Sequence, residues 1–136
     1  MPSKVLMIDD EERLCEVVKR GLELMGAFEV DFATSGKEGL SKARRWGPDV
    51  ILLDIRMPKM DGLEVLRTLK AKYPLSEIPV IMLSAILDDS TKKECNYQYG
   101  EEYIEKPVDI AELKNRIEAV LRRTGRLSPP PPSTAS

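Results

Sequence analysis

The sequence predicts an α/β fold in which a five-stranded parallel sheet carries helices on both faces. Short, continuous apolar runs alternate along the chain with segments whose apolar residues recur at helical spacing. A continuous apolar run is typical of a strand that is buried on both faces, as in a parallel sheet. Right-handed crossovers between successive strands then place helices on both faces of one sheet.

Each predicted strand is short and ends near polar residues. In chain order the predicted strands are residues 4–8, 28–32, 50–54, 79–84 and 103–105. The first, third and fourth are continuous apolar runs. The second alternates between apolar and acidic residues, which favours a position at the edge of the sheet.

Helical patterns fill the gaps between the strands. The first helix is predicted to bury an apolar face of Leu14, Val17, Val18, Leu22 and Met25 and to end at Gly26. Thr34 or Ser35 can cap a second helix that ends at Trp46, before Gly47-Pro48. A third helix is predicted from about residue 63 to 71, and a fourth, with a thin apolar face, over 88–99. The last helix begins after Asp109 and has an apolar face of Ile110, Leu113, Ile117, Val120 and Leu121.

Composition limits the classes of function. The 136 residues suit one domain, predicted over 1–124, followed by a proline-rich tail or linker over 125–136. The formal net charge is -2, which argues against broad electrostatic capture of nucleic acid or of an anionic membrane surface. No leader or membrane-spanning run is expected, and Cys15 and Cys95 are expected to be reduced, so a cytoplasmic location is predicted.

Reactive side chains collect where the predicted strands end. Asp9 and Asp10 follow the first strand, Asp54 ends the third, Ser84 ends the fourth, and Lys106 follows the fifth. In an open parallel sheet, ligands bind beyond the carboxyl ends of the strands, so these groups are expected to share one site. The chain has no histidine, so its chemistry must use carboxylates, hydroxyls, lysine and a hard cation.

Three carboxylates in one site repel each other, and a divalent cation such as Mg2+ relieves that repulsion. Such a set suits phosphoryl transfer to a carboxylate, with Asp54 as nucleophile and Lys106 neutralising charge on the phosphoryl oxygens. Each residue alone has an ordinary structural explanation. Their combined order and placement are what indicate phosphoryl chemistry.

Four segments resemble the receiver domains of two-component response regulators, and the resemblance covers residues 4 to about 123. The segments are Val5 to Glu11, Pro48 to Gly62, Pro79 to Ala85, and Tyr103 to Pro107. The resemblance implies a flavodoxin-like, doubly wound sheet of strand order 2-1-3-4-5. It implies a phosphoacceptor that promotes its own phosphotransfer and dephosphorylation but is not a turnover enzyme.

The resemblance also assigns roles to individual positions. Asp54 matches the phosphoacceptor, and Ser84 and Lys106 match its catalytic partners. Asp9, Asp10, Asp54 and the carbonyl of Arg56 match the Mg2+ ligands, with Asp9 acting mainly through water. Ser84 and Tyr103 match the switch pair, and the bond between Lys106 and Pro107 is expected to be cis. Arg56, Ala85 and Ile86 match positions that influence the acyl phosphate. Arg56 and Ile86 predict that the acyl phosphate is hydrolysed slowly.

The implied donor is a sensor histidine kinase or a phosphotransfer protein. The output partner is unknown, and the surface expected to switch consists of the fourth helix, the fifth strand and the fifth helix. A homodimer could form through the same surface. No direct binding of nucleic acid or membrane by this chain is expected.

Three other classes of function stay open on the sequence. The fold could serve as a docking module without phosphorylation. An aspartyl-phosphate hydrolase typically has a second Asp two residues after its nucleophile, where this chain has Arg56. A flavin or nucleotide binder of this fold needs a Gly- or Ser/Thr-rich loop after the first strand, where this chain has four acids.

Overall fold

A computed structural model describes residues 2–26, 28–55, 62–84 and 102–126. In chain order the elements are β1 (Ser3–Ile8), α1 (Glu12–Met25), β2 (Phe28–Ala33), α2 (Gly36–Trp46), β3 (Val50–Asp54), α3 (Gly62–Ala71), a 3-10 helix (Leu75–Glu77), β4 (Val80–Ser84), β5 (Glu102–Glu105) and a C-terminal helix (Ile110–Arg123). The helix predicted over 88–99 and the tail from residue 127 onward lie outside the described residues.

All five strands form one parallel sheet in the order β2-β1-β3-β4-β5. This order confirms the predicted fold, and it places β2 at an edge, as its alternating sequence indicates. Ile8 lies opposite Leu53 of β3, so β1 and β3 end side by side. Ser84 lies opposite Glu105, so β4 and β5 also end together. The carboxyl ends of four strands therefore meet at one edge of the sheet.

The sheet separates two apolar layers, which explains the continuous apolar runs in the sequence. Val5, Met7 and Leu52 belong to a cluster that also contains residues of α1 and the C-terminal helix. Leu6 and Leu53 belong to a second cluster that contains residues of α2 and α3. Both faces of the inner strands are covered, so neighbouring residues of a strand are buried in opposite directions.

The first helix is correctly placed, but part of its predicted buried face is wrong. Its buried residues are Cys15, Val18 and Leu22, at the spacing of one helical stripe. Val17 is 59% exposed and Met25 is 47% exposed. Several apolar residues on α1 allow more than one choice of stripe, and the helix is oriented so that the stripe through Val18 packs on the sheet.

Capping residues fix where the helices begin and end. The Ser35 hydroxyl accepts a hydrogen bond from the backbone N–H of Glu38, so Ser35 is the cap of α2. That helix ends at Gly47, which has a φ of 65° in the left-handed region. Asp109 caps the C-terminal helix, as predicted, because its Oδ1 accepts from the N–H groups of Ala111 and Glu112. None of the helices in the described ranges is long and apolar enough to cross a membrane.

Candidate functional site

Three carboxylates converge at the carboxyl ends of β1 and β3. Asp9 is fully buried, Asp54 is 4% exposed, and Asp10 is exposed. Each of the three offers an oxygen atom that lies within 4.8 Å of the other two. The backbone N–H of Asp9 donates to the carbonyl of Ala33, and its Oδ1 accepts from the N–H of Glu11. Asp9 is thus held rigidly, with its Oδ2 directed into the site.

Lys106 places a positive charge against these acids. Its backbone N–H donates to the carbonyl of Ser84 at 2.8 Å, which fixes the point where the side chain leaves β5. Its Nζ lies 2.8 Å from Asp9 Oδ2, 3.3 Å from Glu11 Oε1 and 3.9 Å from Asp54 Oδ1. The side chain is 12% exposed, so water screens these interactions less than it screens a surface ion pair.

Burial and charge act in opposite directions on the two groups of the closest pair. Burial raises the pKa of Asp9 above its ordinary value, although the contact with Lys106 and the hydrogen bond from the Glu11 backbone act to lower it. Burial disfavours the charged form of Lys106. Contact with Asp9 and attraction to Asp54 outweigh that effect, so the pKa of Lys106 is raised. Lys106 is therefore a cation at neutral pH.

The arrangement of donors suits Mg2+, an ion that prefers oxygen ligands. Three carboxylate oxygens lie close enough to share one ion. In addition, the buried Oδ2 of Asp9 finds no donor with acceptable hydrogen-bond geometry among the described residues, and its contact with Lys106 is an ion pair only. A hard cation would satisfy that oxygen and reduce the repulsion among the three acids.

Two further predicted residues lie on β4, which pairs with the strand of Asp54, and on β5, one strand beyond it. Ser84 is 1% exposed and ends β4, next to the strand that carries Asp54. Tyr103 is half-buried on β5, and its backbone carbonyl accepts a hydrogen bond from Arg116. The peptide bond between Lys106 and Pro107 is cis, as the resemblance implies.

The structure brings together four of the predicted site residues, Asp9, Asp10, Asp54 and Lys106. It places Ser84 at the end of β4, which pairs with the strand of Asp54, and Tyr103 on β5, one strand farther away. Arg56, Ala85 and Ile86 lie outside the described residues. The roles assigned to all nine positions stay predictions.

Sequence reasoning missed two residues that border this site. Glu11 forms an ion pair with Lys106, and Cys15 is buried beneath Asp9, with its Sγ donating to the Asp9 carbonyl at 3.5 Å. Burial raises the pKa of the Cys15 thiol to about 12. The position of Glu11 directly after the acid pair is a signal for the first residue, whereas helical periodicity alone gives no such signal for the second.

Comparison with known proteins identifies the family. The sequence model described as "Response regulator receiver domain" matches residues 5–118, which is most of the chain. This chain belongs to the response-regulator receiver family. It is a receiver domain of two-component systems and therefore a phosphoacceptor signalling module.

Relatives among curated proteins are about twice as long as this receiver. The DNA-binding dual master transcriptional regulator RpaA of Synechocystis is 35% identical over 124 residues, which cover 91% of this chain and 51% of that protein. The alkaline phosphatase synthesis transcriptional regulatory protein PhoP of Bacillus subtilis is 35% identical over 130 residues, covering 95% of this chain and 52% of the relative. The chain thus spans about half the length of the curated relatives it matches.

Solved structures show the same fold. A CheY-like receiver domain protein from Methanospirillum hungatei has a TM-score of 0.84 at 26% identity, over 93% of this chain and 98% of that one. The receiver domain of the Francisella response regulator 1452 has a TM-score of 0.80 at 33% identity, over 90% of this chain and 98% of that one.

Proposed function

We propose that this receiver accepts a phosphoryl group on Asp54 in a Mg2+-dependent reaction. The observation that supports the proposal is the convergence of Asp9, Asp10 and Asp54 on one edge of the sheet, opposite the ammonium of Lys106. Asp54 is the carboxylate that ends a central strand, where a donor can approach beyond the sheet. The donor in this proposal is a phosphohistidine of a sensor kinase or of a phosphotransfer protein.

In the proposed reaction Asp54 attacks phosphorus in line and forms an acyl phosphate as the donor's leaving group departs. Lys106 stabilises negative charge on the transferred oxygens, because its ammonium lies 3.9 Å from Asp54 Oδ1, within reach of a phosphoryl group on that carboxylate. Asp9, Asp10, Asp54 and the carbonyl of Arg56 would hold the metal. A bound Mg2+ neutralises charge on the phosphoryl oxygens and so lowers their repulsion from the carboxylates.

We further propose that Ser84 and Tyr103 link the phosphoryl group to the output surface. Ser84 is buried at the end of β4, and β4 pairs directly with the strand that carries Tyr103. Movement of the Ser84 hydroxyl toward a phosphoryl oxygen would leave space into which Tyr103 can turn. The surface that changes would include β5 and the C-terminal helix, together with the helix predicted over 88–99.

The output itself is also a proposal. Both curated relatives described above are named as transcriptional regulators, and one as DNA-binding. We propose that in the whole protein this receiver controls an output domain or partner of that kind, without touching nucleic acid itself. The cytoplasmic location, the homodimer, the slow hydrolysis of the acyl phosphate and the domain bounds 1–124 and 125–136 stay predictions.

Incubation with acetyl phosphate and Mg2+, followed by intact mass spectrometry, tests the central proposal. The wild type should gain the mass of one phosphoryl group, and EDTA or Asp54→Asn should abolish the gain. Asp31→Asn is the control, because Asp31 lies on β2 and pairs with Lys42 at 3.2 Å, away from the site. A phosphoryl group on Asp54→Asn would contradict the proposal, and absence of any gain would favour a docking module. Multiple turnover of a phosphomonoester would instead favour a hydrolase.

A further inference from the structure

We infer that Glu11 is a positioning residue that holds Lys106 away from the phosphoryl site and so slows phosphorylation of Asp54. The inference rests on the proposed function. Glu11 lies outside the predicted set of metal ligands, catalytic groups and switch residues. The observation behind the inference is that the carboxylates of Asp9, Glu11 and Asp54 all contact the Lys106 ammonium.

The three contacts of Lys106 are unequal. Asp9 is nearest, at 2.8 Å, Glu11 follows at 3.3 Å, and Asp54 is farthest, at 3.9 Å. Before phosphorylation, the lysine therefore lies closer to Glu11 than to the carboxylate it is proposed to assist. The backbone of Lys106 is fixed by the hydrogen bond from its N–H to the Ser84 carbonyl, so the ammonium moves mainly through rotation about the side-chain bonds of Lys106.

Glu11 and a phosphoryl group would compete for the same ammonium. A phosphoryl group on Asp54 carries more negative charge than the free carboxylate, and it attracts Lys106 toward that side. Movement in that direction lengthens or breaks the contact with Glu11. Glu11 therefore stabilises the unphosphorylated arrangement relative to the transition state and to the phosphorylated form.

The exposure of Glu11 sets the size of the effect. Its side chain is 64% exposed, whereas that of Asp9 is fully buried. An exposed ion pair is a weak interaction, so the expected acceleration on its removal is about two- to fivefold. Replacement of Asp9 would remove a predicted Mg2+ ligand together with the nearest partner of Lys106. Replacement of Glu11 would change the position of the Lys106 ammonium and leave the predicted metal ligands in place.

The neighbouring acid provides a matched control. Glu12 is exposed and begins α1, one residue farther along the chain. Among the described residues, the ion-pair partners of Lys106 are Asp9, Glu11 and Asp54, so Glu12 contributes charge near the site without the contact. Glu12→Gln therefore removes the same charge from almost the same place.

The experiment measures the rate of phosphorylation by acetyl phosphate at saturating Mg2+ for the wild type, Glu11→Gln, Glu11→Asp and Glu12→Gln. Glu11→Gln should react about two- to fivefold faster, since it no longer competes for the lysine. Glu11→Asp should also be faster, because the shorter side chain keeps its charge but loses reach. Glu12→Gln should match the wild type. In protein without donor, the side-chain ammonium NMR resonance of Lys106 should shift in both Glu11 variants only.

Several outcomes would overturn the inference. Equal rates for the wild type and Glu11→Gln would do so, as would equal acceleration by Glu11→Gln and Glu12→Gln, which would indicate a general field effect. A wild-type rate for Glu11→Asp would show that contact is not needed. If neither the wild type nor Glu12→Gln gains a phosphoryl group, the proposed function fails and the inference fails with it. If both proteins gain a phosphoryl group, the proposed function stands, and the rates of the Glu11 variants test the inference alone.

Discussion

Replacement of Asp54 by Asn should stabilise the metal-free protein, by about 1–3 kcal/mol in the free energy of unfolding. Asp54 ends a central strand and is 4% exposed, and Asn has nearly the same shape. The substitution therefore removes a charge with little change in packing.

The magnitude comes from the charges described around Asp54 and from the burial of its carboxylate. Asp9 and Asp54 offer oxygens within 4.8 Å, which at an effective dielectric constant of about 20 gives a repulsion of at least about 3.5 kcal/mol. Lys106 lies 3.9 Å from Asp54, and the same calculation gives an attraction of about 4 kcal/mol. These two nearly cancel, and exposed Asp10 adds a small repulsion. Burial of the ionised carboxylate costs several kcal/mol more than burial of a neutral amide, so burial decides the sign.

Urea unfolding in EDTA and again in saturating Mg2+ measures the effect. In EDTA the variant should unfold at a higher urea concentration with an unchanged slope. In Mg2+ the difference should shrink or reverse, because an ion that binds the folded state stabilises the wild type more than a variant with one fewer carboxylate. Asp31→Asn should show no comparable gain. Lower stability of Asp54→Asn in EDTA would refute the reasoning, since Lys106 would then outweigh the cost of burial.

Three more predictions concern stability and reactivity. Gly62→Ala should lower the free energy of unfolding by about 1–3 kcal/mol and slow phosphorylation. The Cβ of the new alanine would overlap the carbonyl oxygen of Asp54, a backbone atom that cannot rotate away. A wild-type urea midpoint would contradict this prediction. The pKa of Cys15 is about 12 in the folded protein and is expected to be about 8.5 in the unfolded chain, so the free energy of unfolding should fall as pH rises between those values. In a Cys95→Ser background, a disulfide reagent at pH 8 should react with Cys15 only as fast as the chain unfolds. Asp109→Ala should cost about 1 kcal/mol and Asp109→Asn much less, as measured by thermal unfolding, because only Asn keeps an oxygen that accepts from the helix N–H groups.

Much of the site could be predicted because it depends on strand ends. Asp9 follows an apolar run, Asp54 ends another, and Lys106 follows the short fifth strand. Parallel strands bring their carboxyl ends to one edge whatever the details of packing. The sequence also predicted Asp109 as a helix cap and Ser35 as one of two candidates, with Thr34, because a cap depends on a few neighbouring residues.

The prediction was least accurate where rotation of an element matters. The apolar residues of α1 include Val17 and Met25, yet the helix packs through Cys15, Val18 and Leu22. Periodicity shows that an amphipathic helix exists, but the residues on the opposing sheet decide which of several apolar stripes is buried.

The sequence by itself determined the α/β class, the alternation of strands and helices, and the residues that stand at the strand ends. These follow from local periodicity and from the rule that buried parallel strands are apolar on both faces. Only the tertiary structure decided that Lys106 lies 2.8 Å from Asp9 and 3.3 Å from Glu11, but 3.9 Å from Asp54. The physical reason is that the position of a long charged side chain depends on burial and on every neighbouring charge, and both are set by contacts between residues far apart in the chain.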